Sequence, residues 1–63
     1  MVTVKIRDNV FEIRPGMTLL SSLTELDILP ETVLAIRNGE MLTEDEILRD
    51  GETINLIEVI SGG

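Results

Sequence analysis

The hydrophobic period of the chain changes from two to helical and back again, and this constrains the fold more than any motif does. Val2, Val4 and Ile6 alternate with Thr3, Lys5 and Arg7, the period of a half-buried strand. Asp8-Asn9 is expected to be the two-residue turn, since both residue types tolerate left-handed backbone. Val10 to Arg14 then returns as a second strand, with Phe11 and Ile13 on one face, and Pro15-Gly16 closes it. From Met17 the spacing is helical, with Leu19, Leu20, Leu23 and Leu26 on one face. This predicts a helix from Thr18 to Asp27, with Thr18 as N-cap and Pro30 forbidding any continuation. So short a helix is not stable alone and must pack on the sheet.

Strand character resumes at Thr32 to Arg37. Asn38-Gly39 behind it is the strongest hairpin signal in the chain, and Glu40 to Leu42 is the expected return strand. Thr43 and Glu46 have the spacing of a capping box, which predicts one helical turn before Asp50-Gly51 breaks it. Thr53 to Ile60 is the last strand, and its near-continuous apolar run predicts burial on both faces and a central position. Hairpin, helix, strand, short strand and buried final strand together describe an α+β fold of the β-grasp type. A mixed sheet of four to five strands carries one main helix across it, and the final strand lies beside the first and parallel to it. The expected core contains Val4, Ile6, Ile13, Leu19, Leu23, Leu26, Ile36 and Leu56. Residues 1–60 are expected to form the domain and 61–63 a flexible Ser-Gly-Gly tail.

Composition narrows the functions such a domain can have. Of its 63 residues none is Cys or His, so disulfides are excluded and metal binding is left to carboxylates. The apolar fraction is 43% with Phe11 the one aromatic residue, so stability must come from aliphatic packing. A domain this small buries only about 60% of its unfolded surface, which leaves apolar residues outside as a partner patch. The helix-free face of the sheet is the expected site of that patch, with Phe11, Ile57 and Val59 as its candidates. The net charge of −7 opposes direct contact with nucleic acid or anionic lipid and suits a partner with a basic docking face. With no signal peptide, long apolar span or lipidation motif, a cytoplasmic location is expected, and the free protein is expected to be a monomer.

Side-chain catalysis has little to work with. Ser21 and Ser22 have no base near them in sequence, and the acids of Thr43 to Glu52 lack the ligand order of a calcium loop. No metal site is expected. The end of the chain is different. Ser61, Gly62 and Gly63 follow directly on the last strand, and Gly63 is expected to carry a free carboxylate. Two residues without a Cβ can pass through a channel too narrow for any side chain. The segment beyond Ile60 reaches roughly 10 Å, enough to enter another protein's active site.

In its order of motifs the chain resembles the ubiquitin-like sulfur carriers of the ThiS and MoaD family. The likeness runs through "PGMTLLSSLTEL", "AIRNGE", "LRDGETINLI" and the final "SGG". It implies that the Gly63 carboxylate is the reactive group. An E1-like enzyme, using ATP and Mg, would adenylate it, and a sulfur nucleophile would convert it to a thiocarboxylate. The chain itself would bind no cofactor and would be a substrate, not an enzyme. A sulfur-acceptor enzyme, and target-protein lysines in members that also conjugate, would be the further partners. "VISGG" and "PETVLAIRNGE" look most like carriers for tRNA 2-thiolation, with thiamine thiazole synthesis the neighbouring route. The alternative is a ubiquitin-like modifier or a non-catalytic interaction domain.

Overall fold

The computed structural model describes residues 1–59. Strand β1 (Val2–Ile6) and strand β2 (Asn9–Ile13) form an antiparallel hairpin. Its turn is Arg7-Asp8 and not Asp8-Asn9, with Arg7 in the left-handed region at φ 53°. The two registers leave every side chain on the same face, so alternation cannot tell them apart. The expected register would set Val2 opposite Pro15, which has no N–H to donate. The observed one sets Val2 opposite Ile13 and Val4 opposite Phe11, and buries Val2 completely.

Helix α1 (Leu19–Glu25) follows, shorter than its sequence pattern suggests. Its first N–H groups all find acceptors. Ser21 N–H donates to the Thr18 hydroxyl at 3.1 Å, as expected of an N-cap. Leu19 and Leu20 N–H donate to the Glu46 and Glu44 carbonyls at 2.8 and 3.0 Å. The segment around Glu44 and Glu46 is therefore a turn packed across the helix start. No helical turn forms there, because those carbonyls are committed to α1. Leu48, at the end of this segment, is fully buried and tied to Met17 and Gly16 by backbone bonds of 2.8 and 2.7 Å.

At its other end α1 stops at a Schellman turn. Ile28 N–H reaches the Leu23 carbonyl at 2.8 Å and Asp27 N–H the Thr24 carbonyl at 3.1 Å. Asp27 holds φ 61°, a conformation that glycine adopts without steric cost. Asp27→Gly should therefore raise stability by about 0.5–1 kcal/mol. A urea titration with unchanged slope and a higher midpoint is the expected result.

A 3₁₀ turn at Pro30–Thr32 leads into β3 (Val33–Arg37), which pairs with the two-residue β4 (Glu40–Met41). Asn38 and Gly39 make the turn between them at φ 54° and 80°, both positive as a type I′ turn requires. The last strand, β5 (Thr53–Glu58), lies between β1 and β3, parallel to the first and antiparallel to the second. The five-stranded order β2-β1-β5-β3-β4 with α1 across one face is a β-grasp.

The core lies between α1 and the sheet. Val4, Ile13, Leu19, Leu23 and Leu56 are buried as expected, and Ile6 and Leu26 are half-buried against them. Val2, Val33, Ala35, Leu48 and Ile54 complete it. Ile36 does not belong to the core: its neighbours Val33 and Ala35 take the helix side of β3, so the pleat turns Ile36 to the other side. Leu20 likewise points outward. The last strand is central but not buried on both faces. Only Ile54 and Leu56 are covered, and Ile57 is 53% exposed. Among the described residues no helix is long and apolar enough to cross a membrane.

Candidate functional site

Strand β5 is held on both sides up to its end. Glu58 pairs with Arg7 of the β1–β2 turn, and Val59 N–H donates to the Thr32 carbonyl at 2.9 Å. A segment continuing from Val59 thus starts from a fixed point. Ile60, Ser61, Gly62 and Gly63 lie outside the described residues, and with them the expected tail and its boundary.

The helix-free sheet face surrounds that point with apolar side chains. Register places Ile57 directly opposite Leu34, and Val59 follows Ile57 by one pleat repeat. Across the sheet, Val10 pairs with Lys5, Lys5 with Asn55, Asn55 with Ile36, and Ile36 with Met41. Leu34, Met41, Ile57, Val59 and Val10 are all exposed. Isolated exposed hydrophobics are ordinary, but Leu34, Ile36, Met41, Ile57 and Val59 form one apolar patch, from which Lys5 and Asn55 separate Val10. Leu34 and Met41 were not legible as members of it. In the run of Val33 to Ile36 every residue is apolar, so no alternation marks which face is outside.

Phe11 does not share this face. It stands opposite Val4, half-buried against the helix-side core, because odd positions of β2 pair with even positions of β1. The structure thus brings Ile57 and Val59 together and separates Phe11 from both. Phe11→Ala should lower the melting temperature without changing affinity for a partner on the open face, and a calorimetric scan alongside a binding isotherm would check it.

The remaining chemical candidates have structural occupations. Ser22 Oγ is buried and donates to the Leu19 carbonyl at 2.7 Å, and Ser21 Oγ accepts from the Thr18 hydroxyl at 3.0 Å. The acids around the second turn are divided among separate partners. Arg37 holds Glu52 at 3.2 Å and Glu46 at 3.6 Å, and Glu52 also accepts from Arg49 N–H at 2.7 Å. The Thr43 hydroxyl donates to Asp45 at 2.6 Å and lowers its pKa, and the Met1 ammonium lowers that of Asp50. Among the described residues no three potential ligands gather around one point.

Likeness in sequence to known proteins decides the family. The ThiS family model matches residues 2–63, essentially the whole sequence and including Ser61, Gly62 and Gly63. The chain belongs to the ThiS family. A curated relative, the sulfur carrier protein TtuB of Thermus thermophilus, is 38% identical over 52 residues, covering 82% of this chain and 80% of TtuB. Among solved structures, the N-terminal ubiquitin-like domain of the 4931431F19Rik protein superposes with a TM-score of 0.71. It covers 98% of this chain and 76% of that domain at 19% identity, a likeness of fold alone. The family match thus covers the strands of the β-grasp and Gly62-Gly63 alike.

Proposed function

We propose that this protein is a sulfur carrier whose reactive group is the Gly63 carboxylate. The observation that carries the reading is the family match running through Gly62-Gly63, together with a sulfur carrier as a relative over four-fifths of both chains. A carboxylate resists nucleophiles because oxide is a poor leaving group. In an E1-like partner, a carboxylate oxygen attacks the α-phosphorus of ATP, with Mg held by that partner, and pyrophosphate departs. Sulfide then attacks the acyl carbon, AMP leaves, and a thiocarboxylate remains. No side chain of the carrier takes part, so the protein is a substrate and not an enzyme. An acceptor enzyme receives the sulfur, with tRNA 2-thiolation the first route and thiamine thiazole synthesis the second. The reading places a free monomer in the cytoplasm.

The open face around Ile57, Leu34 and Val59 docks the adenylating enzyme, with Ser61 and Gly62 entering its channel. Ile57→Asp should weaken that complex about tenfold or more. The melting temperature should hardly change, because Ile57 is exposed. Titration calorimetry with the adenylating enzyme checks it, and an unchanged affinity would move the docking surface elsewhere.

Intact mass tests the chemistry. After incubation with the adenylating enzyme, ATP and sulfide, the chain should gain about 16 Da as oxygen is exchanged for sulfur at the activated acyl carbon. If it is instead recovered joined to lysines of other proteins, with no thiocarboxylate formed, the reading as a modifier replaces that of a carrier.

A further inference from the structure

Strand β3 is an edge over part of its length. Thr32 accepts from Val59 on the β5 side and Ala35 accepts from Leu42 on the β4 side, at 2.9 and 2.8 Å. Peptide groups of a strand alternate in direction, so Val33, Ala35 and Arg37 all turn towards β4. β4 covers only Ile36 and Arg37, and the Leu42 bond to Ala35 is its last continuation. Among the described residues, Val33 N–H and C=O and Ala35 N–H have no ladder partner on that side.

A groove of about 330 Å³ runs between this edge and α1. Val33, Leu34 and Ala35 line it consecutively. Consecutive side chains of a strand point to opposite faces, so what the groove exposes is the strand edge itself. Leu19, Leu23 and Leu42 give it apolar walls. Glu44 lines it, exposed Glu31 directly follows the lining Pro30 in sequence, and no cationic residue lines it. Open backbone groups, an apolar trough and acidic residues together specify an occupant: a strand carrying apolar and basic side chains. A second copy of this chain fits poorly, since each copy carries a charge of −7.

We propose that this groove binds an extended, basic and apolar segment of a partner protein, which adds to the sheet as a strand along Val33–Ala35. Such a segment lies on the edge, shares only Leu34 with the open face, and leaves Ile57 and Val59 uncovered. The two surfaces can therefore be held at once, and this one stands apart from the adenylation reading.

The test uses the ¹⁵N-labelled full chain and a capped seven-residue peptide of alternating valine and lysine. Amide shifts should concentrate at Val33, Ala35, Leu42 and Glu44, with slowed hydrogen exchange at Val33 and Ala35 and little change at Lys5 and Ile57. The same peptide with glutamate for lysine, or N-methylated at the amides facing the edge, should bind at least about tenfold more weakly. The Glu31→Lys, Glu44→Lys double variant should weaken binding by about three- to tenfold, as for exposed ion pairs, and keep its core shifts. Shifts centred on Ile57, or equal binding of the N-methylated peptide, would overturn the proposal. So would a concentration-dependent dimer protecting the same amides, which would make the edge a self-association site.

Discussion

Leu23→Ala should leave much of the protein unfolded at room temperature. Leu23 is 2% exposed and sits on the buried stripe of α1 with Leu19 and Ser22. Truncating a buried leucine removes its transfer free energy and leaves a cavity, at a cost of about 2–5 kcal/mol. A domain of this size has a total stability of about 3–5 kcal/mol. No disulfide is available to hold the remainder, since the chain has no Cys. Leu48→Ala should cost a similar amount for a further reason. Leu48 anchors the segment whose Glu44 and Glu46 carbonyls accept from the first N–H groups of α1, so loosening it uncaps the helix. Urea unfolding followed by far-ultraviolet circular dichroism measures both. Leu20→Ala, on the outer side of the same helix, is the control and should shift the midpoint little. If Leu23→Ala melts like the parent, the helix packs through another face.

What could be read from sequence here follows from which interactions are local. The Asn38-Gly39 turn, the Thr18 cap and the parallel placement of β5 beside β1 were legible, because turn chemistry, capping and the crossover rule act within short stretches or on element order. The open face of β5 was not. Ile54, Ile57 and Val59 are equally apolar, and only the position of α1 decides which of them is covered. The failed capping box at Thr43 and Glu46 has the same origin. Its local signal is genuine, but the carbonyls that a helix would need are taken by α1 from a distant part of the chain. Arg37 shows the limit from the other side. Its ion pairs to Glu46 and Glu52 bind two loops together, and nothing at the sequence level links those three residues. Within the last strand, alternation was legible as placing Ile57 and Val59 on one face, whereas Phe11 was set on the wrong side of the sheet. Alternation within one strand fixes which residues share a face, but not which face the helix takes.

Gly62→Ala should abolish most adenylation while leaving the fold untouched. The described ladder of the last strand runs to Val59, so a change at Gly62 removes no described contact. The methyl group instead acts in the partner's channel, where it meets the wall or forbids a backbone angle open only to glycine. Ordering a glycine segment costs about 1–2 kcal/mol per residue, which the partner must offset with backbone hydrogen bonds made at close approach. A Cβ that holds the backbone away loses those bonds together, so the rate of ATP–pyrophosphate exchange should fall by at least about tenfold, with unchanged melting temperature. Deleting Gly63 should be as damaging or more so, because it draws the carboxylate back by about 3.3–3.6 Å. In-line attack on the α-phosphorus tolerates far less than that, since a misplacement of about 1 Å can cost a hundredfold. Adding one residue after Gly63 should block transfer until it is removed, because the group presented to ATP is then no longer the glycine carboxylate. The assays are pyrophosphate exchange with the adenylating enzyme and intact mass of the product. Equal exchange and equal thiocarboxylate yield from the parent, Gly62→Ala and the Gly63 deletion would show that the glycines take no part in the chemistry.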